Sequence, residues 1–156
     1  MRNFPPNATM DFVELCDRIA VRAGPEFGPG MREALMAQWA LESGWGTSDL
    51  AKRHKNFGGA KWRETMKKFA TPVTYKAHDG ETAYCKFKTL DDYIDGYFHR
   101  LDTLGPYDGW RVAAKKGGLN FIGFIGPIWL GLGVKENQEY VGKVRHLMET
   151  RFGWHD

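Results

Sequence analysis

Hydrophobic residues recur every three or four positions along several stretches of the chain, the spacing that lines one face of an α-helix. Gly-Pro or Ser-Gly pairs end these stretches, and a proline or a capping Ser or Thr begins several of them. The chain is therefore predicted to be largely helical. The predicted helical segments are residues 10–23, residues 29–43, a short one that begins at 47 or 48, one from 89 to the Gly105-Pro106 stop, a short one at about 110–115, and a last one around 140–148.

Residues 71–77 and 82–87 show a different pattern, rich in Thr, Val and Tyr, with Asp79-Gly80 between them. β-Branched and aromatic residues favour strands, and Asp-Gly between two such stretches is typical of a tight hairpin. The sequence therefore predicts a small antiparallel lobe at about 70–88. A chain of 156 residues fits one domain and is too short for a second full one. We expect a single domain over 1–156 that is mainly α (α+β).

Composition adds a preference for one class of ligand. Six Trp and an aromatic fraction of 14% are high for a chain of this size, so some rings are expected on a binding surface. Sugars are one ligand that stacks on exposed rings. The net charge of +3 favours an anionic polymer but is too small to indicate nucleic acid. No metal or other cofactor is predicted, because His54, His78 and His99 lie on separate segments without metal-ligand spacing.

Neither the N-terminal segment nor the longest uncharged stretch has the pattern of a membrane-targeting or membrane-spanning segment. The N-terminal segment carries prolines and acidic residues where a secretion signal has a basic start and an apolar run, so no signal peptide is expected. Residues 117–134 form the longest uncharged stretch. Glycines and a proline interrupt this stretch, and it is shorter than the roughly 20 residues that a membrane helix needs. We expect a buried helix, a turn and a substrate-facing loop there, and no membrane span.

Glu42, at the end of the second predicted helix, is the strongest candidate for chemistry. The helix macrodipole opposes a carboxylate at this end, so stability alone does not favour it. Trp39 and Trp45 flank it, and we expect them to lower the local polarity and raise its pKa. A protonated carboxyl group in an aromatic-lined groove is what a glycosidase needs to protonate a departing sugar oxygen. A surface residue that precedes a glycine helix cap is the alternative, and these residues alone do not separate the two.

The sequence around Glu42 resembles a known family. Residues 37–51 read AQWALESGWGTSDLA, and residues 56–61 read NFGGAK. Together they resemble the signature of the glucosaminidase family, glycoside hydrolase family 73, which includes bacterial autolysins and the flagellar peptidoglycan hydrolase. Weaker similarity continues at Phe87-Lys88, Pro106-Tyr107 and residues 140–143. The resemblance implies a lysozyme-like helical domain with a small β-hairpin lobe beside the active-site cleft, and it places the family's catalytic acid on Glu42.

The second catalytic carboxylate is less clear. Members of this family often carry a glutamate in a strand of the lobe, whereas this chain has Thr74-Tyr75-Lys76 there, and its turn at Asn56-Phe57 is one residue shorter. Asp79 and Glu81 are the nearest acids and are our candidates for the base, although turn acids are more often solvated. A wide separation from Glu42 would favour inversion, and a separation near 5 Å would favour retention. Without a second carboxylate, the substrate's own N-acetyl group could assist.

Other site residues are expected mainly by resemblance. Tyr107 would face the cleft and stabilise positive charge on the sugar ring, with an ordinary packed turn as the alternative. Four rings are expected to stack on sugars, with core packing as the alternative for each: Trp45, Phe57, Trp62 and Trp129. The remaining predicted substrate-binding residues are Gln38, Asn56, Gly58 and Tyr140.

The sequence thus predicts a peptidoglycan hydrolase that cuts β-1,4 bonds of the glycan strand, most simply an endo-β-N-acetylglucosaminidase. Muramidase and lytic transglycosylase activity are the alternatives within the enzyme class, and a non-catalytic cell-wall binding module is the alternative outside it. Action in the periplasm or cell wall without a signal peptide would require delivery by phage lysis or by a type VI secretion apparatus. We therefore expect an antibacterial enzyme, monomeric, with a cognate inhibitor protein covering the cleft as a further expected partner.

Overall fold

The computed structural model describes residues 2–22, 24 and 26–156. Within these residues the chain forms seven α-helices, two 3-10 turns and one β-hairpin. The helices are α1 (Met10–Ala20), α2 (Met31–Ser43), α3 (Asp49–His54), α4 (Leu90–Thr103), α5 (Trp110–Lys116), α6 (Gly118–Trp129) and α7 (Val134–Arg151). The strands are β1 (Ala70–Ala77) and β2 (Gly80–Phe87), and the 3-10 turns are Glu64–Met66 and Gly105–Tyr107.

Several predicted elements differ from the observed ones; the last helix, for example, begins at Val134 rather than near residue 140. The first helix ends at Ala20, where a turn closes as the Arg22 amide donates to the Ile19 carbonyl. The predicted end at Ala23, and Pro25 of the predicted stop, lie outside the described residues. The stretch 117–134 is mostly the helix α6, because its apolar residues Phe121, Ile122 and Ile125 bury one face of it.

Helix α2 forms the centre of the core. Its side chains are buried nearly all round, because α1, α6 and α7 pack against it. Trp39 on α2 is fully buried, with its ring 5.2 Å from that of Tyr93 and 5.3 Å from that of Tyr97 on α4. Gly118 allows α6 to start close to α2, since a Cβ there would lie 2.3 Å from the Gly30 carbonyl oxygen. This packing fixes the end of α2, which carries Glu42.

The hairpin presents two different faces. Its register pairs Ala70 with Phe87 and Ala77 with Gly80, leaving His78-Asp79 as the turn. Cys85 and Phe87 on one face are buried against the helices. Tyr75 and Tyr84 share the opposite face, where their rings lie 5.8 Å apart. The mainly α (α+β) class and the hairpin lobe predicted from sequence are confirmed.

No helix in the described part of the chain is both long and apolar enough to cross a membrane.

Candidate active site

Glu42 lies in the last turn of α2, and the turn that follows holds this end rigidly. Gly44 adopts a left-handed conformation (φ 56°), and its amide donates to the Ala40 carbonyl. The Ser43 hydroxyl donates to the Trp39 carbonyl (2.6 Å) and accepts from the Gly46 amide (2.9 Å). The sequence Ser-Gly-X-Gly therefore ends the helix with its carboxyl-bearing residue in a fixed position.

The Glu42 carboxyl group is half-buried in the wall of an open cavity of about 300 Å³. The Tyr140 hydroxyl on α7 donates a hydrogen bond to Glu42 Oε2 (2.9 Å). Burial raises the pKa of Glu42 above its ordinary value, and the Tyr140 hydrogen bond opposes this rise in part. The carboxyl group therefore keeps its proton to a higher pH than a solvated glutamate does. The cavity is lined by Glu42, Ser48, Asp49, Leu50, Asn56, Gly59, Tyr75 and Tyr84.

Asp49, the first residue of α3, is the second carboxylate in this cavity. The Tyr75 hydroxyl donates to its Oδ2 (2.5 Å), and Arg53 Nε lies 3.3 Å from its Oδ1. These contacts engage both oxygens of a carboxylate that is itself exposed. Sequence reasoning missed Asp49, because an acid directly after the capping Ser48 is already explained by helix stability. Its position seven residues after Glu42, across a rigid turn, was the available signal.

The turn at residues 56–59 separates this cavity from a second one. Asn56 is buried and holds the turn, because its Nδ2 donates to the Ala60 and Cys85 carbonyls (3.0 Å each) and its Oδ1 accepts from the Ala60 amide (2.9 Å). A Cβ on Gly58 would lie 2.7 Å from the Tyr93 hydroxyl, so this approach requires glycine. The Trp129 indole donates to the Gly58 carbonyl (2.8 Å) and ties α6 to the turn.

The second cavity, of about 420 Å³, meets the first at Gly59, which lines both. Arg100 Nη1 donates to the Lys61 carbonyl (2.8 Å), and the guanidinium carbon lies 5.5 Å from the Trp129 ring centroid. Burial raises the pKa of Tyr107, and the neighbouring Arg100 opposes this. The lining residues are Gly59, Ala60, Lys61, Arg63, Arg100, Leu104, Pro106, Tyr107, Ile128 and Trp129.

Several residues predicted to bind substrate are instead part of the interior, which corrects those predictions. Gln38 is buried, and its Oε1 accepts from the Tyr97 hydroxyl (2.5 Å). Phe57 is fully buried, with its ring 5.4 Å from that of Tyr93. Trp45, by contrast, is half-buried and stacks on Phe152 (5.8 Å, 28°), and its contact with sugar stays a prediction. Asn56 borders the first cavity, but its amide group is used by the turn.

The acids of the hairpin do not share the cavity with Glu42. Asp79 is in the exposed turn, and exposed Glu81 pairs with Lys76 (3.7 Å). Strand alternation puts Glu81 on the face opposite to Tyr75, because its cross-strand partner is Lys76. The hairpin thus offers tyrosines, not carboxylates, to the first cavity, and the base role of Asp79 or Glu81 stays a prediction that this geometry does not support.

The remaining predicted residues divide between the two cavities. Tyr140 contacts Glu42, whereas Tyr107 is buried in the wall of the second cavity together with Trp129. Trp62 is half-buried and lines neither cavity; its amide donates to the Ala83 carbonyl beside the hairpin. The described residues contain no group of three or more His, Cys, Asp or Glu placed to hold a metal ion.

Comparison with known proteins assigns the family. The glucosaminidase model, described as mannosyl-glycoprotein endo-beta-N-acetylglucosaminidase, matches residues 20–151. The fold is similar to that of the catalytic domain of the autolysin Auto from Listeria monocytogenes, with a TM-score of 0.56 and 16% sequence identity over 96% of this chain and 87% of that one. A search of curated proteins finds no match. The chain therefore belongs to the glucosaminidase family, as its sequence predicts, and it is a glycoside hydrolase.

Proposed function

We propose that the protein hydrolyses β-1,4 glycosidic bonds in the glycan strand of peptidoglycan, as an endo-β-N-acetylglucosaminidase, with Glu42 as the general acid. The observation that carries this proposal is the half-buried Glu42 carboxyl group in the wall of an open cavity, with its pKa raised by burial. A glycosidase acid must hold its proton until the leaving oxygen takes it. Family membership and the likeness to an autolysin domain support peptidoglycan as the substrate.

Asp49 is our candidate for the second carboxylate. In this mechanism Asp49 accepts a proton from a water molecule, whose oxygen attacks C1 of the sugar. The bond between C1 and the bridging oxygen breaks, and Glu42 donates its proton to that oxygen. Attack by water on the face opposite to the leaving group inverts the configuration at C1. The support for this role is that Asp49 shares the cavity with Glu42 and that Tyr75 and Arg53 contact its oxygens.

The test of the proposed function is Glu42→Gln, which keeps the size of the side chain and removes its acidic proton. We expect release of reducing ends from purified sacculi to fall by about a thousandfold or more, with an unchanged circular dichroism spectrum. Glu33→Gln, the same substitution in the first turn of the same helix, serves as the matched control and should digest sacculi as the parent does. Equal digestion by the Glu42→Gln variant would overturn the assignment of the acid.

Lytic transglycosylase activity is the second candidate. It is favoured by the tyrosines that the hairpin offers to the cavity where relatives carry an acid, since a transglycosylase needs a single acid. Mass spectrometry of the digest separates the two reactions, because a transglycosylase leaves a 1,6-anhydro ring and a hydrolase leaves a free reducing end. The same spectra distinguish a glucosaminidase from a muramidase by which sugar carries the new end.

We further propose that the enzyme is antibacterial, acting as a monomer outside the cytoplasm and delivered by phage lysis or by a contractile secretion apparatus. An enzyme that cuts peptidoglycan lyses cells wherever it reaches their wall, which supports this role and the need for a protecting inhibitor. Expression of the parent and of the Glu42→Gln variant, each with and without an added export signal, tests it. Lysis should require both export and Glu42. A producing cell that survives export without any protein bound at the cleft would contradict the inhibitor.

A further inference from the structure

The second cavity contains three cations and no acid. Lys61, Arg63 and Arg100 line it, and none of its described lining residues is Asp or Glu. We call these three residues the basic subsite. Among the salt bridges of the described residues, none involves any of the three. The subsite therefore carries positive charge that no carboxylate among the described residues pairs with.

Arg100 is the most informative of the three. Only 8% of it is exposed, and its hydrogen bond to the Lys61 carbonyl and its position over Trp129 fix the guanidinium group. Burial lowers the pKa of Arg100, the neighbouring Tyr107 opposes this, and the nearby Arg63 adds to the lowering. Burying a charge without a partner is costly, and buried charges are usually paired. A fixed, buried guanidinium in the wall of an open cavity is therefore suited to an anion that arrives with the substrate.

We propose that the basic subsite binds a carboxylate carried by the sugar next to the cleavage site. This inference rests on the proposed function, because it takes the peptidoglycan strand as the ligand. Every second sugar of that strand bears a lactyl ether, whose carboxyl group is either free or joined to a stem peptide with carboxylates of its own. The basic subsite meets the Glu42 cavity at Gly59, so one strand can occupy both. Guanidinium groups are well matched to carboxylates in charge and geometry.

The basic subsite would let the enzyme distinguish peptidoglycan from chitin. Chitin has the same β-1,4-linked amino-sugar backbone but carries no carboxylate. The Trp129 ring would contact either glycan, because an aromatic face binds a sugar ring without regard to charge. We therefore expect selectivity to reside in the cations, and general sugar affinity in the ring.

Binding to the inactive Glu42→Gln variant tests this inference without turnover. Three ligands are titrated by calorimetry: a peptidoglycan tetrasaccharide with stem peptides, the same glycan freed of peptides by an amidase, and chitotetraose. We expect at least one carboxylate-bearing glycan to bind about tenfold more tightly than chitotetraose. Adding Arg63→Gln should weaken that binding about five- to tenfold and leave chitotetraose unchanged. Tighter binding of the peptide-bearing glycan alone identifies the stem peptide as the source, and equal binding of both identifies the lactyl carboxylate.

Two further variants control for the loss of charge. Arg63→Lys keeps the charge and should retain most of the affinity, and Lys116→Gln removes an exposed cation at the end of α5 and should change nothing. Arg63→Gln that weakens all three ligands equally, or none of them, overturns the inference. If the parent digests sacculi but Arg63→Gln weakens all three ligands equally or none of them, only the role of the basic subsite is contradicted. If the protein binds carboxylate-bearing glycans selectively but the parent cleaves no sacculi, the proposed reaction is contradicted and the role of the basic subsite is retained.

Discussion

The two cavities that meet at Gly59 are lined by different titratable groups, carboxyl groups in the first and cations in the second. In the first, the carboxyl groups of Glu42 and Asp49 each accept a hydrogen bond from a tyrosine. In the second, the cations of the basic subsite have no carboxylate partner in the described fold. The difference separates two tasks: the first cavity has groups suited to moving protons, and the second has groups suited to holding an anion.

The separation of these charges matters for the acid. A cation close to Glu42 would stabilise its ionised form and lower its pKa. The effects that act on Glu42 are burial and the Tyr140 hydrogen bond, and no cation contributes. The turn at residues 56–59, fixed by Asn56 and Trp129, lies between the cations and the acid. The fold thereby combines a basic binding surface with a carboxyl group that keeps its proton to a higher pH than a solvated glutamate does.

The largest expected effect is on turnover, and it should follow from a substitution in the first cavity that leaves the second cavity unchanged. Asp49→Asn removes the proposed base but keeps its size, and the amide oxygen can still accept from Tyr75. We expect kcat on sacculi to fall about a hundredfold or more, while KM changes less than about threefold because the basic subsite is intact. NMR of the initial product should show inversion at C1 for the parent.

Asp79→Asn is the matched comparison, since it makes the same chemical change at the hairpin tip. We expect it to keep the parent's kcat. If Asp79→Asn is the variant that loses turnover, the sequence-based assignment of the base is right and the role of Asp49 is wrong. Retention of configuration at C1 would also exclude Asp49 as a base that activates water.

The sequence predicted most of the fold and one half of the site, for an identifiable reason. Helix spacing and the Asp79-Gly80 pair are local signals, and they located the helices and the hairpin, although the observed turn is His78-Asp79, one residue earlier. Glu42 was found because the segment around it is both specific to the family and physically unusual for a helix end. Family membership is confirmed by the match over residues 20–151.

The rest of the site depends on packing that the pattern does not contain. Phe57 and Gln38 lie next to site residues along the chain, yet their side chains point into the core against α4. Asp49 was missed because its neighbours in the site come from distant segments: Tyr75 is 26 residues away along the chain. Arg100 was overlooked because a helical arginine is usually solvated, and only the structure shows it buried.

A smaller effect is expected on the pH dependence of kcat, which a substitution in the first cavity should change and a matched substitution in the second should not. Tyr140→Phe removes the hydrogen bond that stabilises ionised Glu42, so the pKa of Glu42 should rise further. The alkaline limb of the kcat profile, which reports loss of the proton from the acid, should therefore move to higher pH. Tyr107→Phe makes the same change in the second cavity and should leave this limb in place. A shift to lower pH in the Tyr140→Phe variant would show that the hydrogen bond favours the protonated acid instead.

The smallest expected effect is on thermal stability. Replacing the acid of the first cavity should change the melting temperature in a way that depends on pH, whereas replacing a cation of the second cavity should not. Because the pKa of Glu42 is higher in the folded than in the unfolded chain, its effect on stability is favourable below the unfolded pKa and is lost as pH rises through the folded pKa. Glu42→Gln, which never ionises, should therefore melt about 1–3 °C above the parent at pH 8 and no higher than the parent at pH 4. Arg63→Gln, which changes an exposed residue of the basic subsite, should show the same melting difference at both pH values. A Glu42→Gln variant that melts below the parent at pH 8 would mean that the ionised carboxylate stabilises the fold, and Glu42 would then be a structural anion rather than an acid held ready for catalysis.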